Sequence, residues 1–462
     1  LTLIKEAQTK PVALSPDDPV LKAYLQPGSS TTGLQSYDLN EVALRLIPVL
    51  TPLRNKIPRV TGGHNIQAEW RAITGINTAG LFAGLSEGNR GGVIATTFQA
   101  YTAAFRGWGL DDYVSFEADM AAQGFDDLKA RATLGLLQSL MIQEENLILG
   151  GRGTVALGTT PTPSLTTATT GGSLAAATYN VYCVALSYDA FWSMAGQNNG
   201  NIGQSLNIAT AAVPTTITRT NADGSSDTYN AGAAARSAVA SQATTGATSV
   251  INASVAPVPG AAAYAWFWGV AGSEVLGAVT PSSYLQITAA ATGTQNASVI
   301  GAGNDRSANA LAMDGMITQL AKSGSGAYVQ ALTSSTPGVA PKLTSDGAKG
   351  IVEIDAAVLA FWNLYRLTPD IMYVNAQQLQ DVSTKVLSAT GGPMYTIAVD
   401  PNNPNVQAGA RVSSYFCKPL GVTIRIEVHP TMPPGTIMFW TDNIPYKLSG
   451  VTDIVRMRLR RD

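Results

Sequence analysis

The octapeptide Gln143-Glu144-Glu145-Asn146-Leu147-Ile148-Leu149-Gly150 closes the most strongly periodic segment of the chain. From 115 to 149, Phe116, Met120, Leu128, Leu136, Leu137, Leu140, Met141, Leu147 and Ile148 predict one long helix with a broad apolar face. Gly124 and Gly135 each cost that helix ~1 kcal/mol. Gly150-Gly151 is its stop signal.

Before this helix, residues 59–112 read as a long β-hairpin. Ile66, Ala68, Trp70 and Ala72 alternate with polar neighbours going out, and Ile94, Thr96, Phe98 and Ala100 coming back. The glycine-rich stretch 84–92 lies between them. A lone two-stranded hairpin is marginal in water, so one of this length implies a partner surface. Residues 1–58 form an extended arm punctuated by seven prolines: Pro11, Pro16, Pro19, Pro27, Pro48, Pro52 and Pro58. Ser15-Pro16-Asp17-Asp18 starts a short helix there, and 40–50 is a second helical stretch.

After the helix the composition changes. Residues 154–305 carry Asp189, Arg219, Asp223, Asp227, Arg236, Glu274 and Asp305 as their charged side chains and contain no lysine. Strand-like pieces at 179–187, 205–209, 215–220, 264–269 and 284–288, with turn signals such as Asp223-Gly224, predict an inserted β-sandwich. Tyr179, Tyr182, Tyr188, Trp192, Tyr264, Trp266 and Trp268 argue against a disordered linker, because disordered segments are poor in aromatics.

Residues 306–462 return to mixed α and β. Helical spacing joins Met313, Met316, Ile317 and Leu320, and again Val358, Phe361, Trp362 and Tyr365 before Pro369. A buried strand at 371–374 leads to Asn375 as N-cap of a helix carrying Leu379, Val382 and Val386. Strands follow at 421–428, 436–440 and 444–448. The last strand sets Val455, Met457 and Leu459 against Arg456, Arg458 and Arg460.

Composition narrows the function. The 462 residues hold 29 Lys+Arg against 31 Asp+Glu, a net charge of −2. Charged residues make up 13%, about half the usual ~25%. A monomer of this length would expose roughly 16,000 Å². So little charge implies surface covered by other subunits, a Thr/Ser/Gly-rich β-protein, or both. Near-neutrality excludes a general nucleic-acid binder. No apolar run of ~18 residues exists, so no membrane span is expected. The two cysteines, Cys183 and Cys417, sit in apolar strand contexts as inert core thiols. The two histidines, His64 and His429, leave no room for a His-rich metal site. Leu1, with no Met and no basic-then-apolar leader, reads as a processed or trimmed end.

Motifs with chemistry fit poorly. Gly84-Leu85-Ser86-Glu87-Gly88 has the nucleophile-elbow pattern but lacks the required strand before and helix after, and nothing links Ser86 to His429. Asn221, Asp223 and Asp227 lack the spacing of a calcium loop and read as a hairpin turn. Gly324-Ser325-Gly326 has no following G-K-[ST]. Asn252 and Asn296 fit the glycosylation pattern without a secretion signal. No cofactor, metal site or catalytic group is expected, so the chain is not read as an enzyme.

The order of elements resembles the major capsid proteins of tailed double-stranded DNA bacteriophages, the Hong Kong 97 fold. Thr51-Pro52-Leu53 leads into a hairpin bearing Glu69-Trp70-Arg71. The octapeptide 143–150 resembles the end of that family's spine helix. Met313-Asp314-Gly315-Met316, Pro419-Leu420-Gly421-Val422 and Met432-Pro433-Pro434-Gly435-Thr436-Ile437 resemble its axial-domain segments. The resemblance covers roughly 1–153 and 306–462. It implies an α+β fold with a 1–58 N-terminal arm, a 59–112 extended loop and a 113–153 peripheral domain with spine helix. It further implies an immunoglobulin-like β-sandwich inserted at 154–305, a 306–450 axial domain, and a 451–462 strand returning to the peripheral domain. It implies a homo-oligomer of pentamers and hexamers in an icosahedral virion shell, assembled in the bacterial cytoplasm. Such a shell holds double-stranded DNA without sequence specificity and meets portal, scaffold and decoration proteins; no membrane is involved. Trp70, Arg71, Arg90, Phe98, Arg106 and Trp108 on or near the extended loop become inter-subunit contacts. Some members cross-link through a loop lysine; 60–110 contains none, so no cross-link is expected. On this reading, deleting 156–299 leaves assembly possible. Two other readings are an encapsulin-like compartment shell and a carbohydrate-binding or adhesive β-protein resting on exposed aromatics of the insertion.

Overall fold

The computed structural model describes residues 48–63, 65–76, 84–93, 95–122, 127–194, 206–333, 336–387, 412–442 and 455–460. The arm expected before residue 48 and the strand expected at 444–448 lie outside these. Among the described residues the protein is mixed α+β, with seven helices and seventeen strands in six sheets. The chain divides into two compact units, Leu1–Leu46 with Tyr113–Thr133, and Ile47–Asp112 with Leu134–Asp462.

The first unit holds α2 (Phe116–Ala122) and the start of α3 (Leu128–Gly150). Ser115 Oγ accepts from the Ala118 N–H and Asp127 Oδ1 from the Ala130 N–H, so each helix has its own N-cap. Lys129 Nζ reaches Asp119 Oδ2 at 2.7 Å between the two helices. The single helix expected over 115–149 is therefore two. Apolar spacing continues through the interruption and does not register the Asp127 cap.

In the second unit, α1 (Pro52–Lys56) leads to β1 (Arg59–Gly63) and then to the hairpin of β2 (Gln67–Ile76) and β3 (Thr96–Ala104). The hairpin register runs from Gln67 opposite Ala104 to Ile76 opposite Thr96, with a shift between Ile73 and Gly75. β1 pairs in parallel with β17 (Met457–Arg460), so the C-terminal strand returns to the hairpin root.

The insertion is a sandwich. One sheet runs β11 (Val275–Thr280), β10 (Ala263–Val270), β5 (Thr178–Leu186), β8 (Ala240–Ala243); the other runs β12 (Tyr284–Ile287), β9 (Val250–Ser254), β4 (Ser164–Ala168). Tyr179, Val181, Cys183, Tyr264, Trp266 and Trp268 point between the sheets and meet Ile251, Ala253 and Ile287. Their alternates Val184, Leu186, Ala265 and Phe267 are buried on the opposite face under Val213, Ala233, Ala297 and Ile300. The central strands are covered on both sides, which explains their unbroken apolar runs. β6 (Thr216–Thr220) and β7 (Ser226–Asn230) form a separate hairpin around Asp223-Gly224, with Gly224 at φ 82°. Residues 206–209, part of an expected strand, are a turn region: Asn207 O accepts from the Thr210 and Ala211 N–H groups.

The remaining part is built on the sheet β14 (Ser414–Cys417), β15 (Val422–Val428), β13 (Ile371–Val374), β16 (Ile437–Trp440). α5 (Met316–Ala321) begins after Met313, a turn later than the spacing implied. α6 (Val352–Tyr365) ends at Arg366 in the left-handed region, and Asn375 Oδ1 caps α7 (Ala376–Leu387) by accepting the Gln377 N–H. Met372 and Val374 face α6 and α7 through Ile354, Val358, Leu379 and Val382. Ile371 and Tyr373 face the other way, into a core with Leu53, Ile148, Leu149, Met432 and Trp440. That core also takes Tyr188 and Trp192 of α4 (Tyr188–Met194) and Ala262, all from the insertion. The sandwich is therefore packed into its host as well as tethered to it.

Candidate assembly surface

Alternation made the hairpin legible, and its pairing sets two faces. Trp70 lies opposite Tyr101 with ring centroids 5.9 Å apart in a stacked arrangement. Ile73 pairs with Phe98 on the other face, which also carries Arg71 opposite Ala100. Neither face is covered: Ile66, Trp70, Ile73, Ile76 and Phe98 are between 44% and 79% exposed. Arg90 sits in the exposed tip; Arg106 follows β3 and is exposed, and Trp108 beyond it is half-buried. The structure thus gathers Trp70, Arg71 and Phe98 on one ribbon, with Arg90 at its tip and Arg106 and Trp108 beyond the end of its return strand.

The tip places Ser86 in a turn closed by Asn89 N–H to Ser86 O, with loop on either side. No elbow geometry forms. Asp227 accepts from Arg219 and Asn221, and Asp223 from Ser225, so these carboxylates stitch a hairpin turn. Among the described residues no group of three or more His, Cys, Asp or Glu is placed to hold a metal. Burial pushes the Cys183 thiol well up and that of Cys417 to about 11, which suits inert core thiols.

The hairpin root is held by a cluster that residue patterns did not reveal. Glu144 and Glu145, in the last turns of α3, are both buried. Glu145 Oε1 accepts the Leu53 N–H at 2.9 Å and Oε2 the Arg54 N–H at 2.7 Å, so one carboxylate satisfies the open N-terminus of α1. Glu144 accepts from Arg54 Nε at 2.7 Å and also pairs with Arg59 at the start of β1. His429, fully sealed, places Nε2 2.6 Å from Glu145 Oε1. Its Nδ1 accepts from the Thr431 N–H at 3.3 Å, which leaves Nε2 to donate to Glu145 Oε1. The imidazole is therefore a fixed donor to Glu145, not a base for Ser86. The signal in the sequence was adjacent carboxylates inside an apolar helix end with no cation in the same turns.

A second cluster fixes the insertion root. Asp314 Oδ1 accepts from the Gly153 and Thr154 N–H groups at 2.7 and 2.8 Å, and Oδ2 from Thr154 Oγ1 at 2.5 Å. Burial opposes ionisation of Asp314, but these hydrogen bonds hold its carboxyl below the usual range. The Gly315 N–H donates to Gly151 O at 2.7 Å, joining the two ends of the insertion. Arg152, fully buried, donates to Val155 O and Gly260 O; burial pulls its guanidinium pKa down, and Asp314, Asp305 and Asp189 pull it back.

Of the insertion's named aromatic side chains, Tyr179, Tyr188, Trp192, Tyr264, Trp266 and Trp268 are buried, and Tyr182 is half-buried with the Arg236 guanidinium over its ring, so these rings form no open sugar-binding surface. Among the described residues no helix is long and apolar enough to cross a membrane. No family model, curated protein or solved structure matches the chain.

Proposed function

We propose that this chain is the structural subunit of a self-assembling shell, of the kind formed by major capsid proteins of tailed double-stranded DNA bacteriophages. The observation that carries the reading is the β2–β3 hairpin. Among the described residues it forms a sheet of its own two strands, projects apolar side chains from both faces, and is gripped at its root by Glu144 and Glu145. An isolated ribbon of this kind lacks a core of its own, and a second copy of the chain supplies the missing surface.

The order of elements supports the same reading. A hairpin precedes the long helix α3, a β-sandwich interrupts the chain, and a mixed sheet with α6 and α7 follows. The C-terminal strand comes back to β1. On this reading Trp70, Arg71, Arg90, Phe98, Arg106 and Trp108 meet a neighbour within pentamers and hexamers, and the shell encloses DNA by geometry. Electron microscopy of the purified full chain tests it. Closed shells that protect DNA from nuclease support the capsid reading; shells filled with another protein point to a cargo compartment instead.

A further inference from the structure

The solvent face of α6 is chemically unlike a solvent face. A surface helix normally turns charge outward. Ile354 and Val358 bury one stripe of α6 against the β14–β15–β13–β16 sheet. The opposite stripe runs Val352, Ala356, Leu359, Asn363 and then Arg366 just beyond the helix end, all exposed, with Val352 at 46% and Leu359 at 41%. These positions are spaced 4, 3, 4 and 3, the seam of a two-helix coiled coil. The charged residues of α6 are Glu353 and Asp355, both in the first turn, and the cation stands at the other end. Glu353 accepts the Thr344 N–H, and Asp355 accepts from Tyr415 OH, so both carboxylates are held in place.

We infer that this stripe docks on the same stripe of a second copy, the two α6 helices running antiparallel about a two-fold axis. Charge selects that arrangement. An antiparallel pair with Leu359 opposite the partner's Asn363 brings Arg366 beside the partner's Ala356 and Asp355, at both ends at once. A parallel pair would instead set Arg366 against Arg366 and Asp355 against Asp355. The helix dipoles also oppose each other favourably. α6 needs no further ordering to pair, since Ile354 and Val358 already fix it. A two-helix contact is small and weak for free chains, and gains strength where copies are held close together.

Cysteine cross-linking of the full chain tests this contact, because native Cys183 and Cys417 are buried. Under mild oxidation, Leu359→Cys with Asn363→Cys together gives a covalent dimer as the major product, lost on reduction. Each single variant gives little. Equal dimer from the single variants, a ladder of higher multimers, or no cross-link in folded double variant would each overturn the pairing. Leu359→Glu supplies an independent reading: it buries an unpaired charge at the seam and weakens self-association by about tenfold or more in sedimentation. Unchanged association contradicts the proposal. The pairing stands on α6 alone: shells without the cross-link overturn it and leave the shell reading intact, and a cross-linked dimer that never forms shells does the reverse.

Discussion

His429 Nε2 stands 2.6 Å from Glu145 Oε1, and both side chains are sealed from solvent. The same carboxylate caps α1 through the Leu53 and Arg54 N–H groups. Glu145 therefore joins three separated parts of the chain: the segment entering the hairpin, the end of α3 and the turn after β15. Glu145→Gln keeps the size but loses the charge and one acceptor oxygen. The expected loss is about 1–3 kcal/mol of stability, the cost of leaving a buried donor without its charged acceptor. Urea unfolding checks it, and a double-mutant cycle with His429→Gln should give a coupling energy well above the ~0.5 kcal/mol of independent sites.

Gly150 is needed for packing rather than for stopping the helix. It lies within α3, and an added Cβ would meet Tyr188 Cγ at 2.2 Å and Cβ at 2.5 Å. Gly150→Ala improves helix propensity by up to ~1 kcal/mol yet should destabilise by about 1–3 kcal/mol through overpacking. A melting temperature equal to or above that of the parent would contradict the contact.

Asp189, half-buried at the start of α4, carries a pH dependence. Burial pushes its carboxyl up to about 6 from the usual 3.8, with Arg152 pulling the other way. The folded chain therefore holds this proton more tightly than the unfolded chain, and stability falls as pH rises through that interval. Asp189→Asn should melt higher than the parent at pH 7.5, by up to about 3 kcal/mol, and the gap should close near pH 4. A gap that widens in acid would reverse the sign.

Asp346 works in the opposite sense. The Lys418 ammonium, with the Ala348 and Gly350 N–H groups, holds its carboxyl down at about 2. The stability it contributes is present above the usual 3.8 and is lost as pH falls toward 2. Asp346→Asn should lower the melt at neutral pH and flatten the acid limb of the unfolding curve, so that the gap to the parent closes as pH falls toward 2.

The hairpin is where stability and assembly part. Trp70→Ser with Phe98→Glu alters side chains that are 47% and 61% exposed and lie outside the cores formed by the described residues. Folding stability should fall by no more than about 1.5 kcal/mol, the worth of the lost Trp70–Tyr101 stack, while particle formation is abolished. Circular dichroism melts and light scattering read the two effects separately.

Much of this architecture was visible in residue patterns, for identifiable reasons. Period-two alternation marked β2, β3 and β17, and the unbroken apolar runs of β5, β10 and β13 marked buried strands. Asn375 announced α7. β4, β8 and β9 were not legible: Ser164–Ala168 and Ala240–Ala243 are short and small-residued, and edge pairing decides them. The arrangement of the site stayed hidden because its links join residues 85 to 284 positions apart. The insertion also looked removable from sequence. With Tyr188, Trp192 and Ala262 in the host core, deleting 156–299 should instead leave an aggregation-prone remnant.

The most direct measurement is single-particle electron microscopy of assemblies of the full chain. The expected result is closed icosahedral shells in which β2–β3 lies across the adjacent copy, with Trp70 or Phe98 buried in the contact. Dispersed monomers at every concentration and pH tried, or particles whose hairpins project free into solvent, would contradict the shell reading.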